Sequence, residues 1–151
     1  MSQGKGLKVI IVEDDPTLLS FWSRIMEDVG CDEALLLSNA AGAARVLDEM
    51  PVDLLISDIV MPKRSGYELL KLAHARNPQC KILLTTGYAA DLSRFELAGF
   101  SFHLLHKPYA DIAALRSLIA SLLRGTENLD EISEESSSEN EDYPNITEWK
   151  L

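Results

Sequence analysis

Asp58 ends the apolar run Leu54-Leu55-Ile56-Ser57 and is followed by Ile59, Val60, Met61 and Pro62, with Gly66 four residues beyond the proline. A carboxylate at the end of a hydrophobic strand is poor core material, because an unpaired buried charge costs more than the packing around it returns. The position asks for a metal or a chemical role. Glu13-Asp14-Asp15 end a second such run, Val9-Ile10-Ile11-Val12. Clustered carboxylates repel unless a cation sits among them, and all-oxygen donors suit a hard ion such as Mg2+. That ion would keep Asp58 ionised and nucleophilic at neutral pH. Thr86-Gly87 and Lys107-Pro108 follow two further apolar runs. A hydroxyl donor and a compact ammonium charge suit the oxygens of a transferred phosphoryl group. The chemistry indicated is phosphoryl transfer to a carboxylate, which needs mainly positioning and charge neutralisation.

These residues must be held by strands, and the chain supplies them in alternation with amphipathic stretches, the sign of βαβ units and a parallel sheet. Strands are predicted at about Lys8 to Val12, Glu33 to Leu37, Leu54 to Ser57, Lys81 to Thr85 and Phe102 to Leu105. Helices are predicted from an Asp15 cap and Pro16 to Val29, ended by Gly30, and from Ser38 or Asn39 to Met50, stopped by Pro51. Others run from Gly66 to Arg76, over a short stretch near Asp91 to Ala98, and from about Asp111, where Ile112, Leu115, Leu118, Ile119 and Leu122 form one stripe. In a parallel α/β sheet functional groups gather at the carboxyl ends of the strands, which puts Glu13, Asp14, Asp58, Thr86 and Lys107 on one edge.

The order and spacing of Val-Glu13-Asp14-Asp15-Pro16, Asp58-Ile-Val-Met61-Pro62 with Gly66, Thr86-Gly87 and Lys107-Pro108 resemble the receiver domain of bacterial two-component response regulators. The resemblance covers about residues 8–124. It implies a flavodoxin-like doubly wound α/β fold, with five parallel strands in the order 2-1-3-4-5 and five helices. It also implies that Asp58 accepts phosphate from a histidine kinase or a histidine phosphotransfer protein. Asp14, Asp58 and the main-chain carbonyl of Val60 would bind Mg2+ directly, with Glu13 acting through water, while Thr86 and Lys107 hold the phosphoryl oxygens. A cis peptide between Lys107 and Pro108 is expected. One position departs from the family: three residues before the lysine stands Leu104, where an aromatic switch residue is usual. Val60 and Tyr88 occupy the positions that govern water access to the acyl phosphate, and their bulk without acidity implies slow self-hydrolysis.

The net charge of -10 is concentrated after Arg124, where nine acids face Lys150 alone and set a local charge of -8. No Lys/Arg cluster suggests a nucleic-acid surface. Residues 1–7 are a short polar extension without an apolar signal core, and no run reaches the length of a membrane span, so a cytoplasmic protein is expected. Cys31 and Cys80 lack metal-ligand spacing and are expected to be reduced thiols. His74, His103 and His106 lack ligand spacing to the acids and are read as ordinary histidines. Residues 125–151, dominated by Ser, Glu, Asp and Asn, are expected to be disordered. Within them Tyr143 to Trp149 restores two aromatics, either by chance or as a docking peptide. The chain is therefore expected to signal by contact with an unidentified downstream protein, as a monomer or a phosphorylation-dependent dimer. An enzymatic alternative is a small Mg-dependent aspartate-nucleophile phosphatase or phosphotransferase. Such enzymes usually carry a second acid two residues after the nucleophile, where this chain has Val60.

Overall fold

The computed structural model describes residues 7–31, 33–87, 100–124 and, as backbone, 146–149. The strands are β1 (Val9–Val12), β2 (Leu35–Leu37), β3 (Leu54–Asp58), β4 (Lys81–Thr86), β5 (Phe102–His106) and β6 (Ile146–Trp149). The helices are α1 (Pro16–Asp28), α2 (Ala40–Glu49), α3 (Gly66–Arg76) and α4 (Ile112–Arg124). All pairings are parallel, in the order β2-β1-β3-β4-β5-β6. The expected order 2-1-3-4-5 is present, with a further strand beyond β5. The helix expected near Asp91 to Ala98, Tyr88 and residues 125–145 lie outside the described residues.

Strands β1, β3 and β4 are buried along nearly their whole length, as apolar strands covered on both faces must be. Alternate residues point to opposite faces and build two cores. Ile10, Val12, Leu55, Ile82, Leu84, Phe102 and Leu104 pack with α2 and α3 residues such as Leu47, Leu69 and Leu70. Val9, Ile11, Leu54, Ile56, Leu83 and Leu105 pack with Trp22, Ile25 and Met26 of α1 and Leu115, Leu118, Ile119 and Leu122 of α4. Strand β2 is shorter than expected, beginning at Leu35 rather than Glu33, and its pattern is exposed to half-buried. Among the described residues it pairs on one side only, with β1, so burial on a single side sustains only three residues.

The helix starts fall where expected, with Asp15 and Asn39 as the expected caps and Asp111 capping α4. Asp15 accepts from the Thr17 amide at 2.9 Å, Asn39 from Gly42 at 2.7 Å, and Asp111 from Ala114 at 3.0 Å. Gly30, in the left-handed region at φ 83°, closes the segment after α1. At the start of α3 glycine is required by space: a Cβ on Gly66 would lie 2.5 Å from the Asp58 carbonyl oxygen and 3.1 Å from Ile59 Cα. The Gly66 amide donates to the Ile59 carbonyl at 2.9 Å, so α3 presses directly on the segment carrying Asp58.

Candidate functional site

Strands β1 and β3 end side by side, with Val12 level with Ser57, and deliver Glu13, Asp14 and Asp58 to one place. One oxygen from each of the three carboxylates lies within 4.8 Å of the others. Their surroundings differ. Asp14 is exposed, whereas Glu13 and Asp58 are 1% and 8% exposed. Burial raises the proton affinity of Glu13, opposed by the Asp15 amide and by Lys107. It also raises that of Asp58, opposed by Lys107 and by a hydrogen bond from the Val60 backbone. The Asp15 amide donates to Glu13 Oε2 at 3.2 Å, so the residue that caps α1 also fixes the neighbouring acid.

Strand β5 ends beside them and contributes the countercharge. Lys107 Nζ lies 3.1 Å from Asp58 Oδ2 and 3.2 Å from Glu13 Oε1, bridging the two buried carboxylates. Burial alone would lower the lysine, but attraction and hydrogen bonding to Asp58 and then Glu13 exceed that effect and leave it above its usual value. The Lys107-Pro108 peptide is cis, as expected. Thr86 is buried at the end of β4, and its carbonyl accepts the Lys107 amide at 2.8 Å, so threonine and lysine are tied together through the main chain. Val60 follows in the exposed loop, 57% accessible, and Gly87 borders open space in which a Cβ would meet nothing within 4 Å.

Two residues that the sequence did not point to as site residues adjoin the site. Thr85, not Thr86, stands level with Asp58 in the β3–β4 ladder, and its carbonyl holds the Ile59 amide at 2.9 Å. Tyr109 stacks on Phe21 at 5.4 Å and meets Trp22 edge-on at 5.6 Å. Its enclosed hydroxyl lies toward Thr85 and Trp22 without a hydrogen bond of ordinary length, and burial pushes its proton affinity up. Adjacency of Tyr109 to Lys107-Pro108 was the only sequence signal, since an aromatic alone reads as core. His74 faces the Cys80 carbonyl at 3.2 Å and stacks on Phe100, and among the described residues no histidine joins the acid cluster. Cys31 and Cys80 are free thiols. A cleft of about 340 Å3 is lined by Asp14 together with Met61, Pro62, Lys63 and Arg64 and the start of α2.

A hard cation suits the donor set: three carboxylates converge, two of them buried, and a single ammonium neutralises them incompletely. No described helix is long and apolar enough to cross a membrane.

The response regulator receiver domain model matches residues 9–120. Over 83 residues the chain is 36% identical to the response regulator receiver protein CpdR of Brucella abortus, covering 55% of this chain and 68% of that one. It is 30% identical to the transcriptional regulatory protein FixJ of Azorhizobium caulinodans over 131 residues, 82% of this chain but 58% of FixJ. The match to the response regulator protein PilR of Pseudomonas aeruginosa, 30% identical, spans 78% of this chain and only 26% of that relative. Among solved structures, a CheY-like receiver domain protein from Methanospirillum hungatei superposes with a TM-score of 0.68 at 29% identity, covering 80% of this chain and 96% of that one. The receiver domain of the hybrid histidine kinase CckA gives 0.61 at 27% identity, over 77% and 98%. With the acid cluster and bridging lysine at the carboxyl edge of a 2-1-3-4-5 sheet, the chain belongs to the response regulator receiver domain family of two-component systems.

Proposed function

We propose that Asp58 is the phosphoacceptor and that the chain takes its phosphate from a phosphohistidine of a histidine kinase or a histidine phosphotransfer protein. The observation carrying this reading is Asp58 Oδ2 at 3.1 Å from Lys107 Nζ, within a three-carboxylate cluster. An Asp58 carboxylate oxygen attacks phosphorus as the P–N bond breaks, and the imidazole keeps the bonding pair. Lys107, now shared by two carboxylates, turns its charge toward the incoming phosphoryl oxygens. Thr86 supplies a hydroxyl hydrogen bond from the adjoining strand end. Asp14, Asp58 and the Val60 carbonyl would hold Mg2+, with Glu13 acting through water, and the bound ion would neutralise charge on the phosphoryl oxygens. The cleft lined by Asp14, Lys63 and Arg64 suits approach of the donor.

The reading extends to a cytoplasmic protein that signals by contact with a downstream protein. The receiver is a signalling domain, and a turnover phosphatase is disfavoured because the position two residues after Asp58 is an exposed valine with no proton to give. Kinetics separate the two. With a small acyl-phosphate donor and Mg2+, a phosphoacceptor accumulates about one equivalent of protein-bound phosphate and releases inorganic phosphate slowly. Rapid, repeated release without accumulation would establish the phosphatase instead.

A further inference from the structure

Strand β6 pairs with β5 over four positions, Phe102 with Ile146, His103 with Thr147, Leu104 with Glu148 and Leu105 with Trp149. It lies beyond residue 120, where the family match ends. Without it, β5 would be an edge strand with a row of unpaired backbone groups, a ready template for another strand. The alternation of a strand identifies those groups. The Lys107 amide bonds to Thr86 on β4, so the amides of His103 and Leu105 also face β4, and those of Phe102 and Leu104 face the opposite side.

The connection to β6 is unusual. A helix that crosses between parallel strands returns the chain to the sheet end where the next strand starts, and the loop that follows ordinarily needs about 2–6 residues. Here 21 residues, 125–145, separate α4 from β6, with eight acidic side chains and no basic one. Closure of the sheet does not demand that length. By length alone, a connection of 21 residues permits residues 146–149 to leave the edge while they stay covalently joined to α4, and covalent attachment keeps their effective concentration high.

We propose that the side of β5 facing away from β4 is a docking site for one extended strand laid parallel to it, with residues 146–149 as its resident occupant. The segment acts as a latch in cis, and a partner that adds a strand here must displace it. Main-chain pairing supplies the attachment, so the partner class is an extended peptide segment rather than a helix or a folded face.

The test uses the full chain, unphosphorylated, carrying Thr147→Pro and Glu148→Pro together. Because consecutive amides alternate, one of the two prolines must delete a donor facing β5. Amide hydrogen exchange at Leu104 should accelerate at least about ten-fold, while Ile11 and Leu55 on the central strands keep their protection. A synthetic peptide of residues 143–151 should then restore Leu104 protection in a concentration-dependent way. On the unsubstituted chain it should bind at least about ten-fold more weakly, because the tethered copy competes. Unchanged Leu104 exchange in the variant, equal or absent peptide binding, or concurrent loss of protection at Leu55 would each overturn the latch, the last by making β6 an integral part of the domain.

Discussion

Lys107 is the residue on which the resting site balances. It stands within 3.2 Å of two buried carboxylates whose proton affinities are already raised. In metal-free protein, Lys107→Ala should therefore cost about 1–3 kcal/mol near neutral pH by stranding charge. The sign with pH follows from the direction of the shifts. An acid whose folded-state proton affinity is raised destabilises the fold while ionised, so the deficit should be full above the raised values and fade as pH falls toward the ordinary carboxylate range near pH 4. Urea melts of the two proteins in chelator, from neutral to acidic pH, check this; a pH-independent deficit would mean that the lysine acts by packing. Cys80 gives a second prediction. Burial, reinforced by Asp53, pushes its thiol up to about 12, so alkylation of the native protein at pH 8 should mark half-buried Cys31 and reach Cys80 only after denaturation. The acids and the lysine were legible in the sequence because such types at successive strand ends have few structural uses. The sharing of one lysine between Glu13 and Asp58 was not, since it depends on how far each side chain reaches across the edge.

At the scale of elements, the tightest junction lies between β3 and α3. Gly66→Ala would drive a methyl group to 2.5 Å from the Asp58 carbonyl oxygen, against the Asp58–Ile59 backbone. It should lower stability by about 1–3 kcal/mol and slow phosphorylation, because the backbone that yields is the one aiming Asp58. Asp15→Ala should cost about 1 kcal/mol through the lost α1 cap, while Glu13 keeps its partner because the donor to Oε2 is the backbone amide of residue 15. Thermal melts together with phosphorylation rates distinguish the two variants: the first slows labelling more than its stability loss explains. Five strands and four helices were readable because their apolar periods and caps are local signals. Strand β2 was read two residues too long because sequence does not reveal that, among the described residues, β1 alone pairs with it. Strand β6 went unread because Ile146-Thr147-Glu148-Trp149 is short and follows a run of acids that dominates its composition.

The molecule as a whole separates its chemistry from its added strand. The acids and lysine sit at the carboxyl ends of β1, β3 and β5, whereas β6 covers the flank of β5. A chain ended at Arg124 should therefore accept phosphate at a rate within about two-fold of the full chain, yet self-associate more readily because the β5 edge is uncovered. Sedimentation at rising concentration and parallel labelling time courses measure both. A truncated chain that labels more than ten-fold slower would show that the added strand supports the site. At this scale the parallel α/β class was legible from alternating strands and helices, the strand order only through the resemblance to receiver domains, and the chemistry because such sheets collect function at one edge.

Phosphate acceptance at Asp58 is tested most directly by intact mass spectrometry after incubation with a small acyl-phosphate donor and Mg2+. The wild-type chain should gain one phosphoryl group, lose the gain when the metal is chelated, and fail to gain it at all as Asp58→Asn. Equal labelling of the Asn variant would contradict the assignment and place the phosphate elsewhere on the molecule.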